Sequence, residues 1–236
     1  IPVPGMWELN GYGDPIYLNI GYAWRGHYDN NPPYPALEHN YVGQYRRTFV
    51  LDDNWDGKDV FLHIGSATSN VRVWVNGKGV GYSEDSKLEA RFDITKYVRK
   101  GENLIALEIF RWCDGTYLED QDFFRFSGIA RDVYVYSREK KRLENVKVVA
   151  SASGDAALYA EVSKGVTSVS FDIIDPSGKK VASTRVDVNA KSRSENGLPY
   201  VETALNVPSV MQWTAETPSL YTLDVAVYDK KGQTES

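Results

Sequence analysis

The residue types best able to do chemistry are concentrated in one segment, residues 111–129. It holds two arginines, five aromatic side chains and four carboxylates, which are Asp114, Glu119, Asp120 and Asp122. The segment is too apolar for a free loop and too charged for a core. Its aromatic groups must therefore pack against other parts of the chain, and its charges must be paired.

Three interpretations of this segment compete. In the first, Arg111 and Arg125 form salt bridges with the acids, and the segment is a structural loop. In the second, the carboxylates hold a hard cation, which takes several carboxylate and carbonyl oxygens, although the spacing differs from that of an EF-hand loop. In the third, a carboxylate accepts hydrogen bonds from sugar hydroxyls while a Trp or Tyr ring stacks on the sugar. Composition alone leaves all three open.

The whole chain limits which elements can position this segment. Its 236 residues favour two domains, and its 42% hydrophobic content is enough for sizeable cores. No apolar run approaches the roughly 18 residues that a membrane helix needs. The net charge of −5 argues against nucleic acid and an anionic membrane as partners. Cys113 is the only cysteine, so an intramolecular disulfide is impossible and a cysteine-based zinc site is implausible.

Short strands separated by turn signals account for most of the chain, and no convincing helix interrupts them. Residues 1–40 are predicted to be loop-like, and Asn76-Gly77 is predicted to form a tight hairpin turn. The predicted strands of the first part are 44–51, 60–64, 71–75, 78–82, 104–110 and 131–136. Those of the second part are 146–150, 157–162, 169–174, 181–188, 201–207 and 221–228.

A boundary is predicted where charge replaces alternation, at residues 137–143, and the basic cluster 138–142 is interpreted as a solvated linker. The predicted domains are therefore 1–137 and 138–236. Six or seven strands in the second domain, without a cysteine pair, are typical of an immunoglobulin-like or fibronectin-like sandwich. The fold class predicted for the whole chain is all-β.

Four segments resemble the β-galactosidases of glycoside hydrolase family 2, in the same order along the chain. The longest, residues 111–133, reads RW-x-DG-x-YLEDQD-xx-R-x-SGI-x-RDV. The others are NGYGDPIY at 10–17, WVNGKGVGYSEDS at 74–86 and WTAETP-x-LY at 213–221. The resemblance covers essentially the whole chain, and agreement over so long a gapped run is specific.

The resemblance implies a jelly-roll sugar-binding domain, then an immunoglobulin-like domain, then a catalytic (β/α)₈ barrel. In the family, two barrel glutamates hydrolyse terminal, non-reducing β-galactosides with retention of configuration. The present chain has no Asn-Glu dipeptide, which the family's acid/base glutamate requires, and no alternating βα pattern. No catalytic residue is therefore expected in it. Glu119 and Asp122 are not interpreted as a catalytic pair, because both match the jelly-roll signature.

Residue by residue, the resemblance implies a substrate contact and a metal ligand at Asp114, which matches an aspartate that contacts galactosyl hydroxyls and helps to hold sodium. The family's substrate-contacting asparagine falls at Thr68, followed by Ser69 and Asn70, so this chain departs from the pattern there. Either Thr68 substitutes with its hydroxyl, or Asn70 reaches the site, or the contact is missing.

The expected function is therefore one wall of a substrate pocket plus an assembly surface. The expected partners are a β-galactoside, the catalytic barrel and further copies of the full-length enzyme, and the expected cofactor of the intact enzyme is sodium, with magnesium as the alternative. The rival hypothesis is a free-standing carbohydrate-binding or adhesion module. The reading frame beyond Ser236 distinguishes the two hypotheses, since only the first requires about 300 further residues of βα pattern.

Overall fold

The computed structural model describes residues 1–119, 121–189 and 191–236, which fold as two compact units, Ile1–Arg138 and Glu139–Ser236. The all-β prediction is confirmed, because the only helices among the described residues are three short 3₁₀ helices: Glu8–Asn10, Asp53–Trp55 and Asp114–Tyr117. None of the helices in these ranges has the length and apolar character needed to cross a membrane.

Two main sheets make up the first unit, with the strand orders β3-β8-β5-β6 and β11-β4-β7, beside the short pairs β1-β10 and β2-β9. All of these pairings are antiparallel. The strands are β1 (Gly5–Met6), β2 (Ile16–Leu18), β3 (Val42–Leu51), β4 (Asp59–Ile64), β5 (Val71–Val75), β6 (Lys78–Ser83), β7 (Ala90–Asp93), β8 (Gly101–Phe110), β9 (Phe123–Arg125), β10 (Gly128–Ile129) and β11 (Val133–Arg138).

The core of the first unit lies between its two main sheets, and the alternation in β5 shows why. Val71, Val73 and Val75 are fully buried in this core, whereas Arg72 between them is exposed. Alternate residues of β4 and β8 complete the same core. After β5 the chain reverses at Asn76 and Gly77, with φ of 50° and 77°, so the predicted tight turn is confirmed.

The second unit is also a sandwich, with sheets of the orders β12-β13-β16 and β15-β14-β17-β18. Its core takes one face of each sheet, including Leu158, Ala160 and Val162 from one and Val169 and Phe171 from the other. The strands are β12 (Leu143–Ala150), β13 (Asp155–Val162), β14 (Ser168–Ile174), β15 (Lys180–Asp187), β16 (Tyr200–Asn206), β17 (Thr222–Asp229) and β18 (Gly232–Glu235).

The solvated-linker interpretation of residues 138–142 holds only in part: 139–142 join β11 to β12 and residues 139 and 140 are exposed, but the last two side chains have ion-pair partners. Arg138 ends β11, and the side chains at the other end of the cluster are bound to the second unit. The Nζ of Lys141 lies 2.5 Å from Asp229 Oδ2, and the Nε of Arg142 lies 2.9 Å from Glu144 Oε1 with both side chains largely buried. Local charge density did not show that Asp229, which lies on β17, is beside Lys141.

Candidate functional site

The charged segment begins where β8 ends, at Phe110, and its first ordered feature is the 3₁₀ helix Asp114–Tyr117. The residue before this helix closes a capping box, because the backbone N–H of Cys113 donates to Thr116 Oγ1 at 3.0 Å. The N–H of Thr116 in turn donates to the carbonyl of Cys113 at 3.0 Å. These bonds fix the backbone on both sides of Asp114.

Asn40 and an aromatic cluster anchor the start of the segment. The side chain of Asn40 pairs with the backbone of Trp112 like a strand neighbour, donating to its carbonyl at 3.0 Å and accepting from its N–H at 2.9 Å. The rings of Tyr22, Trp24, Trp112 and Tyr117 pack against one another with centroids 4.8–5.4 Å apart. The predicted packing is therefore observed for Trp112 and Tyr117, whose rings contact Tyr22 and Trp24.

Arg111 takes partners that the salt-bridge interpretation did not foresee. The side chain is buried, and its Nη2 donates to the backbone carbonyl of Asp14 at 2.8 Å. The guanidinium also lies 5.5 Å from the ring centroid of Tyr41 and 5.3 Å from that of Trp112. A carbonyl dipole and two ring faces thus surround this cation.

Asp114 is exposed and lies in a cluster with Glu84 and Cys113, whose carboxylate oxygens and Sγ are all within 4.8 Å of one another. Glu84 is held by Tyr82, whose hydroxyl donates to Glu84 Oε1. Burial and this bond to a carboxylate raise the pKa of the Tyr82 hydroxyl, which therefore stays protonated as a donor. Burial also raises the pKa of the Cys113 thiol, so its sulfur is neutral at pH 7.

Thr68, Ser69 and Asn70 follow β4 and lie next to the same segment. Thr68 is half-buried, and its backbone pairs with that of Gly128. The side chain of Ser69 donates to the carbonyl of Phe110 at 3.1 Å, and Asn70 Oδ1 accepts from the N–H of Phe110 at 3.1 Å. Ser69 and Asn70 therefore hold the end of β8.

A small cavity of about 30 Å³ lies beside this loop, and it connects Thr68 with the charged segment. Thr116 of the 3₁₀ helix lines it together with Thr68, and Glu119 and Arg125 contribute charge. Thr68 and Asp114 thus lie on neighbouring stretches, with the Sγ of Cys113 3.7 Å from the carbonyl of Ser69. Asp114 is not among the residues that line the cavity.

The other acids of the segment have structural partners. Glu119 Oε1 accepts from the backbone N–H of Ser86 at 3.1 Å, and Asp122 Oδ1 accepts from the hydroxyl of Tyr17 at 2.7 Å. These contacts tie the segment to the loop after β6 and to β2. Glu119 and Asp122 thus both make contacts that hold the segment in the fold. Asp120 lies outside the described residues.

Sequence reasoning missed Glu84 and Asn40. Glu84 belongs to the segment 74–86 that carries part of the resemblance, but nothing local connects it with a residue thirty positions later. The connection arises because β5 pairs with both β6 and β8. The loop after β6 is thereby brought to the loop after β8.

Two family models together cover the chain. Residues 1–139 match the sugar binding domain of glycosyl hydrolases family 2, and residues 129–236 match a second model of glycosyl hydrolases family 2. With the sandwich fold and the segment around Asp114 in place, the chain belongs to glycosyl hydrolase family 2.

Similar proteins and structures agree with this assignment. The chain is 36% identical over its whole length to the beta-galactosidase of Priestia megaterium, covering 24% of it. It is 36% identical over 98% of its length to the beta-galactosidase of Clostridium acetobutylicum, covering 26% of it. The chain thus spans about a quarter of these curated relatives. The solved structure of a calcium binding mutant of Bacteroides uniformis beta-glucuronidase 2 aligns with 100% of this chain and 28% of the mutant's chain, with a TM-score of 0.76. At 19% identity this similarity shows the fold alone.

Proposed function

We propose that this chain is the non-catalytic part of an enzyme that hydrolyses terminal, non-reducing β-galactosides. The observation that carries the proposal is the 36% identity to curated beta-galactosidases, which extends through both units and includes the segment around Asp114. In this proposal the two catalytic glutamates lie in a barrel outside these 236 residues, with carboxyl groups about 5 Å apart as in retaining glycosidases. The chain contributes one wall of the pocket and a surface for assembly into a homo-oligomer.

Asp114 is the residue proposed to contact the substrate. An exposed carboxylate accepts hydrogen bonds from sugar hydroxyls, and it orients them only if its backbone is fixed. The capping box of Cys113 and Thr116 supplies that rigidity, and the pairing of Asn40 with Trp112 anchors the approach. This arrangement supports a positioning role in the pocket rather than a structural ion pair for Asp114.

Thr68 is the second proposed contact. Because the side chains of Ser69 and Asn70 both bind the backbone of Phe110, neither is poised to replace the asparagine expected from the family pattern. Thr68 lines the small cavity, and its hydroxyl can both donate and accept. We therefore prefer Thr68 over Asn70 as the substitute.

The residues present fit the sodium ion, or the alternative magnesium ion, expected for the intact enzyme. Hard cations bind carboxylate oxygens, and Asp114 and Glu84 present two within 4.8 Å of each other. The neutral thiol of Cys113 is a poor ligand for such a cation. When bound, the ion would supply positive charge and open coordination positions for sugar hydroxyls, while Tyr82 orients Glu84.

The first test is activity of the chain itself. The purified 236-residue chain, incubated with a chromogenic β-galactoside, is expected to release no more chromophore than a mock-purified control. Turnover above that control would contradict the proposal, and it would direct attention back to Glu119 and Asp122.

The second test is Asp114→Ala in the full-length protein. Loss of a charged partner from a substrate hydroxyl is expected to lower kcat/KM by about ten- to a hundred-fold, or roughly 1.5–3 kcal/mol. The same change should leave the thermal midpoint of the chain nearly unmoved. Asp52→Ala is the matched control, because Asp52 makes no side-chain cap bond to the 3₁₀ helix that follows it. Unchanged activity, or unfolding of the chain, would identify Asp114 as a structural residue.

A further inference from the structure

A groove of about 860 Å³ lies on the second unit, on the face of the β12-β13-β16 sheet that points away from the core. Leu158, Ala160 and Val162 face the core, so the alternating residues Tyr159 and Glu161 belong to the opposite face. The loop at 193–196 forms one wall of the groove.

Cross-strand pairing arranges the floor of the groove in rows. Tyr159 lies between Lys147 on β12 and Glu202 on β16, so a cation and an anion flank its ring. In the next row, Ala157 pairs with Val149 on β12, and both are exposed and line the groove. The small side chain of Ala157 beside Tyr159 leaves room for a flat ring to lie over the sheet.

A second tyrosine extends the aromatic surface. Tyr200 starts β16, and its ring centroid lies 5.3 Å from that of Tyr159 with an angle of 33° between the planes. Both tyrosines are half-buried, so part of each ring is presented to the groove. Tyrosine supplies a large contact area at low entropic cost because its side chain has few rotatable bonds.

Glu161 makes this a rigid site rather than an open sheet face. It is only 4% exposed, and its carboxylate accepts from the hydroxyl of Tyr159 at 3.0 Å and from Asn196 Nδ2 at 3.2 and 3.3 Å. Hydrogen bonds from Ser194, Tyr159, Asn196 and Asn145 lower the pKa of Glu161, so the carboxylate stays ionised and holds the loop against the sheet.

The charges of the groove indicate the chemistry of its ligand. Two cations, Lys147 and Arg193, and three acids, Glu161, Glu195 and Glu202, line it. This mixture of signs, with a net charge of only about one unit, favours neither a polyanion nor a polycation. A ligand that is neutral, rich in hydroxyls and apolar on its ring faces fits the two tyrosines together with these dispersed donors and acceptors.

We infer that this groove is a carbohydrate-binding site for a neutral oligosaccharide, separate from the segment around Asp114. The juxtaposition that carries the inference is the Tyr159–Tyr200 surface beside the small, exposed Ala157, walled by a loop that buried Glu161 holds in place. It does not depend on the proposed hydrolysis of β-galactosides, since the groove lies entirely within the second unit.

The test uses the 236-residue chain and amide chemical shifts in ¹H–¹⁵N spectra. The probes are β-1,4-galactotetraose, cellotetraose and, as an anionic comparison, inorganic phosphate. At least one tetrasaccharide is expected to shift the amides of residues 157–161 and 194–204 with a Kd of about 1 mM or below, and phosphate is expected to leave them unchanged. Absence of tetrasaccharide shifts at about 10 mM, a response to phosphate alone, or shifts confined to the first unit would overturn the inference.

Variants locate the binding. Tyr159→Ala and Tyr200→Ala are each expected to weaken binding about ten-fold or more, whereas Tyr159→Phe keeps the ring and should stay within about three-fold. Ala157→Gln adds a larger side chain at an exposed position that lines the groove, so it should abolish binding without unfolding the unit. Tyr12→Ala, at a tyrosine that is 65% exposed in the first unit, is the matched control. Equal binding by Ala157→Gln and the unaltered chain would contradict the assignment.

Discussion

Replacing Asn40 by alanine removes the anchor of the segment that carries Asp114. Asn40 is the side chain that satisfies both the N–H and the carbonyl of Trp112, at 2.9 and 3.0 Å. Trp112 is itself buried, and it lies two residues before Asp114. The change therefore tests whether a single side chain holds the start of this segment in place.

The expected cost follows from those two bonds. A buried donor or acceptor left without a partner costs about 1–3 kcal/mol, so two such groups, allowing for some relaxation and entry of water, should cost about 2–4 kcal/mol. For a unit of 138 residues, each kcal/mol of lost unfolding free energy lowers the thermal midpoint by roughly 3–5 °C. The thermal midpoint of the first unit should therefore fall by about 10 °C.

Tryptophan fluorescence suits this measurement because the six tryptophans are divided unevenly between the units. Trp213 is the one in the second unit, and it is 60% exposed, so its emission should change little on unfolding. The first unit contains Trp7, Trp24, Trp55, Trp74 and Trp112. A thermal or urea melt followed by tryptophan emission consequently reports on the unit that contains Asn40.

Two further variants serve as controls for Asn40→Ala. Asn40→Asp keeps an acceptor for the N–H of Trp112 but places a carboxylate beside its carbonyl, so it should not restore the midpoint. Asn10→Ala removes an exposed side chain whose Nδ2 donates to Met6 at 2.8 Å, and it should cost no more than about 0.5 kcal/mol. An Asn40→Ala midpoint within about 2 °C of the unaltered chain would refute the reasoning, because the backbone of Trp112 would then have another way to be satisfied.

Three other predictions follow from named contacts. Gly154→Ala should destabilise the second unit by about 2 kcal/mol or more, because φ at Gly154 is +90° and an added Cβ would lie 2.1 Å from the carbonyl oxygen of Val207. Circular dichroism should show unfolding of the second unit at a lower temperature, while the unfolding transition followed by tryptophan emission stays unchanged. Hydrogen bonds hold the pKa values of Glu161 and Asp172 below their ordinary 4.5 and 3.8. The two carboxylates therefore stabilise the second unit above those pH values, and this stabilisation is lost as the pH falls below them. A urea midpoint of the second unit that stays constant as the pH is lowered from 5 to 3 would contradict this. Cys113, buried and with a raised pKa, should react with a disulfide reagent about a hundred-fold more slowly in the native chain than in guanidinium chloride, and equal rates would show that the loop opens freely.

Local pattern was sufficient for the parts of the fold in which each residue's role depends on its neighbours. Alternation in 71–75 predicted β5 with its limits as observed, and Asn76-Gly77 predicted the reversal that follows. The short strands β1, β2, β9 and β10 were not predicted, because two or three residues carry no period and their partners lie far along the chain. The fourth strand of the second unit's larger sheet, β18, was missed for a different reason: its residues, Gly232–Glu235, include no apolar side chain and so show no alternation.

The sequence by itself determined the all-β class, the family resemblance and the concentration of charged and aromatic residues around Asp114, since residue types and their order carry those properties. Only the tertiary structure decided which groups surround that carboxylate. Glu84 reaches Cys113 and Asp114 through the pairing of β5 with β6 and β8, and Asn40 reaches Trp112 across more than seventy residues. The tertiary structure also decided that Glu161, a charged residue in a strand, is buried and accepts hydrogen bonds from neutral donors in three stretches of the chain. Such contacts depend on sheet register and loop closure, which bring together residues that no local pattern connects.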